Sequence, residues 1–117
     1  MAADLNIFAI AGAKARHAVE RQSIIAENVA NADTPGFRAR DLESFEKALG
    51  RVKTRLGGAA ARVIMIDSLG IAAPNGNTVS LEDQMMRASQ ASRDHDIATT
   101  IYAKSIAMLR AALGKSR

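Results

Sequence analysis

Only two prolines occur in the chain, Pro35 and Pro74, and they leave two long proline-free windows, residues 4–32 and 77–113. An interior proline removes a backbone donor and clashes with the preceding turn, so two such windows permit two uninterrupted helices. In the first window Leu5, Phe8, Gly12, Ala15, Val19, Gln22, Ala26 and Val29 follow at alternating spacings of three and four. That is a heptad-like stripe on one helix face. Ile7, Ala11, Ala18 and Ile25 form a second apolar strip beside it. Asp4 suits the first turn. A helix over 4–32 would span ~43 Å at ~1.5 Å per residue.

The second window repeats the pattern. Asn75-Gly76-Asn77 signals a turn, Ser80 reads as an N-cap, and Glu82 and Asp83 suit a first helical turn. Leu81, Met85, Ala88, Ser92, His95, Thr99, Tyr102, Ile106, Leu109 and Leu113 share one face, while Ile97, Ile101 and Met108 lie on another. Gly114 is a natural stop. The predicted fold is mainly all-α: long N- and C-terminal helices packed as an antiparallel coiled-coil-like pair, with an irregular middle segment. The expected boundaries are 1–37 for the first helix and its turn, 38–79 for the middle, and 80–117 for the second helix. A hairpin buries one stripe from each helix. The surplus stripes require neighbouring subunits or a third helix of the same chain.

Within the middle, Asp41 to Leu49 reads as a short helix with Asp41 as cap and Gly50 as stop. Val63-Ile64-Met65-Ile66 reads as an extended piece lying on the helices. This middle region, roughly 38–79, is expected to be the most mobile part, ordering on assembly.

Of the 117 residues 48% are hydrophobic, but only 3% are aromatic. Much of the apolar content is alanine, so the core has few large anchors and each position buries little area. A partner is the natural source of the missing burial. The net charge of +4 permits contact with nucleic acid, anionic lipid or an acidic protein surface. Basic residues concentrate at Arg38, Arg40, Arg51, Lys53, Arg55 and Arg62, without interleaved aromatics. There is no cysteine, which excludes disulfides and thiolate chemistry. The first residues carry no basic stretch before an apolar run, so no cleaved secretory signal is expected.

Sites of chemistry are not expected: no catalytic, cofactor-binding or metal-ligating residues are assigned, and no cofactor. Asp94-His95-Asp96 are consecutive, and on a helix their side chains diverge by about 100° per residue. His95 falls on the apolar stripe, and His17 reads as part of a solvated face. Neither has a second histidine at the helical ligand spacing.

The most informative stretch is Asn28-Val29-Ala30-Asn31-Ala32-Asp33-Thr34-Pro35-Gly36-Phe37. Thr34 precedes proline and is pushed out of the helical region. Pro35-Gly36 suits the two central positions of a type II turn, and Phe37 leaves it as an anchor. Asn28 and Asn31 lie in the last helical turns. Their amides either cap that end, which the residues alone favour, or pair across a subunit contact.

This segment resembles the N-terminal signature of the flagellar rod and hook protein family, a helix ending in Asn-x-x-Asn followed by a Thr-Pro-Gly-aromatic turn. Arg38-Ala39-Arg40-Asp41, Gly76-Asn77-Thr78-Val79-Ser80-Leu81-Glu82 and Met108 to Gly114 are also similar to family members of the proximal rod. The likeness covers roughly residues 1–49 and 75–115. It implies a structural, non-enzymatic subunit of the proximal rod whose terminal helices form one D0-like domain and polymerise. The assembly residues it implies are Asn28, Asn31, Thr34, Pro35, Gly36 and Phe37. The helix-packing residues are Leu5, Phe8, Val19, Ile25, Val29, Leu81, Met85, Tyr102, Ile106, Leu109 and Leu113. It further implies passage through the flagellar type III export apparatus without a cleaved signal, and a place in the periplasmic rod of the basal body. The implied partners are copies of itself, other rod proteins, the rod-base adaptor FliE and the MS-ring protein, with no nucleic acid or small-molecule substrate. Two other readings fit part of the sequence: a small basic nucleic-acid-binding protein and a cytoplasmic coiled-coil adaptor. Neither accounts for the Thr-Pro-Gly-aromatic turn.

Overall fold

The computed structural model describes residues 2–54, 63–65 and 73–114. Helix α1 spans Ala2–Ala30 and helix α3 spans Leu81–Gly114. Between them lie strand β1 (Arg40–Leu42), helix α2 (Phe45–Thr54) and strand β2 (Val63–Met65). Helices α1 and α3 pack antiparallel: Phe8 meets Tyr102 near one end, and Asn28 meets Gln84 near the other. We call the end holding the 31–37 and 73–80 connections the closed end, and the other the open end.

The seam between the long helices is built from small residues. Ala11, Ala18 and Ile25 are buried on α1, and Gln84, Ala91, Ala98 and Ser105 on α3, each row at intervals of seven. Alanine at the contact lets two helices approach at the short end of the usual 8–10 Å range. Larger side chains are then displaced to the flanks. Phe8 and Tyr102 stack on one flank, ring centroids 4.4 Å apart. A side chain at Gly12 would reach the Tyr102 ring at 3.8 Å.

This arrangement decides where the expected packing residues fall. Ile25 is buried in the seam, and Phe8, Ile106 and Leu109 are half-buried. Tyr102 packs on Phe8 across the pair, whereas Val19, Val29, Leu81, Met85 and Leu113 face outward in the single chain. The side chain of Leu5 lies outside the described residues. The strip that reads as secondary in the sequence therefore makes the intramolecular contact.

Three expectations about the middle need correction. Asp41 does not cap a helix; it sits in β1. The cap of α2 is Ser44, whose hydroxyl accepts from the Lys47 N–H at 3.3 Å. Gly50 does not end α2, which continues to Thr54; one glycine in a helix interior costs only about 1 kcal/mol. The 63–65 segment does not lie on the helices as an isolated piece. It pairs antiparallel with β1, Asp41 opposite Ile64. The expected mobility of the middle region falls in part on 55–62 and 66–72, outside the described residues.

Candidate functional site

At the closed end two glycine turns dock against each other. Thr34 to Phe37 form the expected turn: the Phe37 N–H donates to the Thr34 carbonyl at 3.2 Å, and Gly36 has φ +73°. Opposite it, the Gly76 N–H donates to Ala73, and Gly76 has φ +82°. The Gly36 N–H donates to the Asn75 carbonyl at 2.9 Å, and the Thr78 N–H to Phe37 at 3.0 Å. A side chain on Gly76 would stand 3.5 Å from the Gly36 Cα. Replacing Gly36 with alanine meets no neighbour within 4 Å, so its cost is backbone strain alone. We expect a loss of about 1–2 kcal/mol, read as a lowered midpoint in thermal unfolding by circular dichroism.

Two buried asparagines lock the clasp. Asn77 donates from Nδ2 to the carbonyls of Asn31 (2.8 Å) and Thr34 (2.6 Å), while its Oδ1 accepts from the Val79 N–H at 2.8 Å. Asn28 is fully buried and addresses β1 rather than its own helix end. Its Nδ2 donates to the Arg40 carbonyl (2.7 Å) and to Gln84 Oε1 (3.0 Å), and its Oδ1 accepts from the Arg40 N–H (3.1 Å). Asn31 alone performs the capping expected of both: its Nδ2 donates to the Glu27 carbonyl at 2.8 Å, and its Oδ1 accepts from the Thr34 hydroxyl. Thr34, Pro35 and Gly36 are exposed and Phe37 is half-buried.

Behind the clasp, an ionic cluster joins α1, β1 and α3. Arg21 of α1 grips Asp41 of β1 through Nε and Nη2, both at 3.0 Å. Arg87 of α3 reaches the same carboxylate at 2.6 Å and Asp83 at 2.8 Å. Burial alone would raise the Asp41 pKa. The Arg21 hydrogen bonds and charge, the Leu42 N–H and Arg87 outweigh it and hold the carboxyl below its usual value. For Arg87, burial opposes the charge, and Asp83 with Asp41 more than restores it, so its pKa is raised. A cleft of about 340 Å³ adjoins the cluster, lined in part by His17, Phe45 and Gln90. His17 is not on a solvated face: its Nε2 lies 2.8 Å from the Glu43 carbonyl and its ring meets the edge of Phe45. Both oxygens of Asp41 are occupied by guanidinium donors. This carboxylate therefore ties α1, β1 and α3 together. Two of the basic side chains in the middle stretch are likewise engaged internally, Arg40 with Glu27 and Arg51 with Glu43.

The family model described as flagella basal body rod protein matches residues 16–38, the second half of α1 with Arg21 and Asn28 and the clasp turn that follows it. The flagellar basal body rod protein FlgB of Agrobacterium fabrum is 26% identical over 110 residues, covering 80% of this chain and 81% of the relative. FlgB of Salmonella typhimurium is 26% identical over 107 residues, covering 74% and 78%. FlgB of Escherichia coli is 45% identical over 47 residues, covering 40% and 33%. The chain is similar to flagellar basal body rod proteins along most of its length. The family match stops just before Ala39, so the rod-protein signature contributes one side of the clasp, and Asn77 and Gln84 supply the other from far along the chain. Sequence reasoning did not single out Asn77, Gln84, Asp41, Arg21 or Arg87 as a group. Their pairing spans 20 to 56 residues, beyond any local pattern. The one available signal was the cluster of four Asn and Gly residues in two turns, each flanked by a helix end.

No helix among the described residues is long and apolar enough to cross a membrane.

Proposed function

We propose that this chain is a structural, non-enzymatic subunit of the proximal flagellar rod, and that it polymerises through its two terminal helices. The observation that carries this reading is the surplus apolar surface. The hairpin closes on alanines, yet Val19, Leu81, Met85, Met86, Ile97 and Met108 stay exposed along both helices. Monomeric proteins rarely leave such rows in water, and neighbouring subunits are the economical cover. Under this reading the residues Asn28, Asn31 and Thr34 to Phe37 act in assembly indirectly, by fixing the hairpin that neighbours dock against. The outward members of the packing set, Val19, Val29, Leu81, Met85 and Leu113, meet neighbours directly. A seam of small residues also suits export through the flagellar type III apparatus, because a weakly held hairpin opens at low cost. The site of action is then the basal body, with other rod proteins, the adaptor FliE and the MS-ring protein as neighbours.

The test is made in flagellated cells. Deleting residues 108–117 should abolish motility while the protein is still synthesised, and detergent-resistant basal bodies should lack it. The intact chain should co-purify with those basal bodies. Normal rods from the truncated strain, or an intact chain confined to the cytosol, would refute the proposal.

A further inference from the structure

The second turn of the clasp is built on a chemically labile dipeptide. Gly76 holds φ +82°, a conformation that favours glycine. Asn75 precedes it and suits the turn because its Oδ1 accepts from the Asn77 N–H at 3.0 Å. Asn-Gly is also the pair in which a backbone nitrogen attacks the preceding side-chain amide most readily, since glycine sets no Cβ beside that nitrogen. The chain has five asparagines, and Ile7, Val29, Ala32 and Thr78 follow the other four. Residues 73–76 are all exposed, so water reaches the Asn75-Gly76 peptide without unfolding of α1 or α3.

The same turn restrains the reaction. To cyclise, the Gly76 nitrogen must lose its proton and meet the Asn75 Cγ, which rotates the peptide plane between the two residues. In the closed clasp both ends of that plane are held. The Gly76 N–H donates to the Ala73 carbonyl at 2.8 Å, and the Asn75 carbonyl accepts from the Gly36 N–H at 2.9 Å. The Ala73 N–H closes the loop on the Asn77 carbonyl at 2.9 Å. The bond from Asn77 fixes the Asn75 amide itself. The bonds on the plane and on the amide must break before the ring can close, which is a local opening rather than a global one.

We infer that Asn75 is a site of spontaneous deamidation, gated by the docking of the two clasp turns. When the clasp opens, the Gly76 nitrogen gives its proton to water and bonds to the Asn75 Cγ. The Cγ–Nδ2 bond breaks, and ammonia leaves. Water then opens the five-membered imide. Attack at Cγ leaves aspartate, and attack at the main-chain carbonyl leaves isoaspartate. In isoaspartate the carbonyl that Gly36 addresses becomes a free carboxylate outside the main chain. One extra atom also enters the chain before Gly76, so the turn no longer matches the Thr34 to Phe37 turn. A chain left open is thereby prevented from closing again. The inference is independent of rod membership, since it concerns the clasp alone.

The test ages the full chain in buffer and follows the peptide that holds residue 75 by mass spectrometry, with its aspartate and isoaspartate forms separated by chromatography. Native wild type should deamidate at least about tenfold more slowly than the same chain unfolded in guanidinium chloride, because the rate follows the open fraction of the clasp. Gly36→Ala strains the facing turn and lies far from Asn75 in sequence, so it cannot alter the intrinsic chemistry. It should raise the native rate by about five- to thirtyfold and leave the unfolded rate unchanged. Asn75→Gln should abolish the product. The purified isoaspartate form should have a lower thermal midpoint than wild type, whereas Asn75→Asp, which keeps the chain length and the Oδ1 acceptor, should stay close to it. The inference is overturned if native wild type reacts as fast as the unfolded chain, if Gly36→Ala leaves the native rate unchanged, or if the isoaspartate form is as stable as wild type. If Gly36→Ala does not fold, wild type in rising sub-denaturing guanidinium carries the comparison, and a rate that stays flat across that range overturns the gate.

Discussion

Replacing Asp41 with alanine should lower the unfolding free energy at neutral pH by about 3–5 kcal/mol, the cost of leaving buried partners uncompensated. The carboxylate is 4% exposed, and the two guanidinium groups it holds are 14% and 22% exposed. Removing it strands Arg21 beside Gln90 alone and leaves Arg87 with Asp83. It also removes the acceptor for the Leu42 N–H at 2.7 Å. The loss should appear as a lower urea midpoint without a change in slope. Asp41→Asn, which keeps shape but not charge, should recover only part. The same site sets an acid limit. The folded pKa of Asp41 is below its unfolded value of 3.8, so its contribution is complete above that value and disappears as pH falls through the folded pKa. The stability difference between wild type and Asp41→Asn should therefore be full at pH 7 and shrink below pH ~4. A difference that stays constant down to pH ~2 would show that Asp41 acts through shape rather than charge.

The parts of this fold that could be read from the sequence are those fixed by local chemistry. Pro35 and Pro74 limit where helices run, Ser80 caps α3 with its hydroxyl accepting from the Asp83 N–H, and Gly36 takes the positive φ a type II turn demands. What escaped local reading has a common physical cause. Ranking helix faces by the size of their apolar residues places Val19, Val29, Leu81 and Met85 inside, whereas backbone approach at the seam favours the alanines at 11, 18, 91 and 98. The large side chains are then left exposed on the single chain. Asp41 looks like a helix cap because Leu42, Phe45 and Leu49 follow it at helical spacing. Two arginines 20 and 46 residues away make it worth more in a strand. Local propensity is a few tenths of a kcal/mol per residue, and a buried, doubly paired carboxylate outweighs it.

Asn28→Ala should be nearly as damaging as the loss of Asp41, and for a different reason. The Asn28 side chain satisfies both the N–H and the C=O of Arg40. It behaves as a short stretch of strand laid against β1 from within α1. Truncation leaves the Arg40 donor and acceptor unpaired and takes away the partner of Gln84 Oε1, in a position with no exposure to water. At about 1–3 kcal/mol for a buried group left unsatisfied, with a cavity added, the expected loss is about 3 kcal/mol. Asn28→Asp separates the terms. It keeps the acceptor for the Arg40 N–H but sets a buried carboxylate against the Arg40 carbonyl, which has nothing to donate, and Gln84 must turn its amide to present its otherwise unpartnered Nε2, so near neutral pH it should be no better than alanine. Below pH ~4 the protonated acid regains one donor, and Asn28→Asp should then become the more stable of the two. Chemical denaturation of both variants at pH 7 and pH 3 reads this directly. If the two stay equal at low pH, the clasp depends on filling the site rather than on the hydrogen bonds that Asn28 makes.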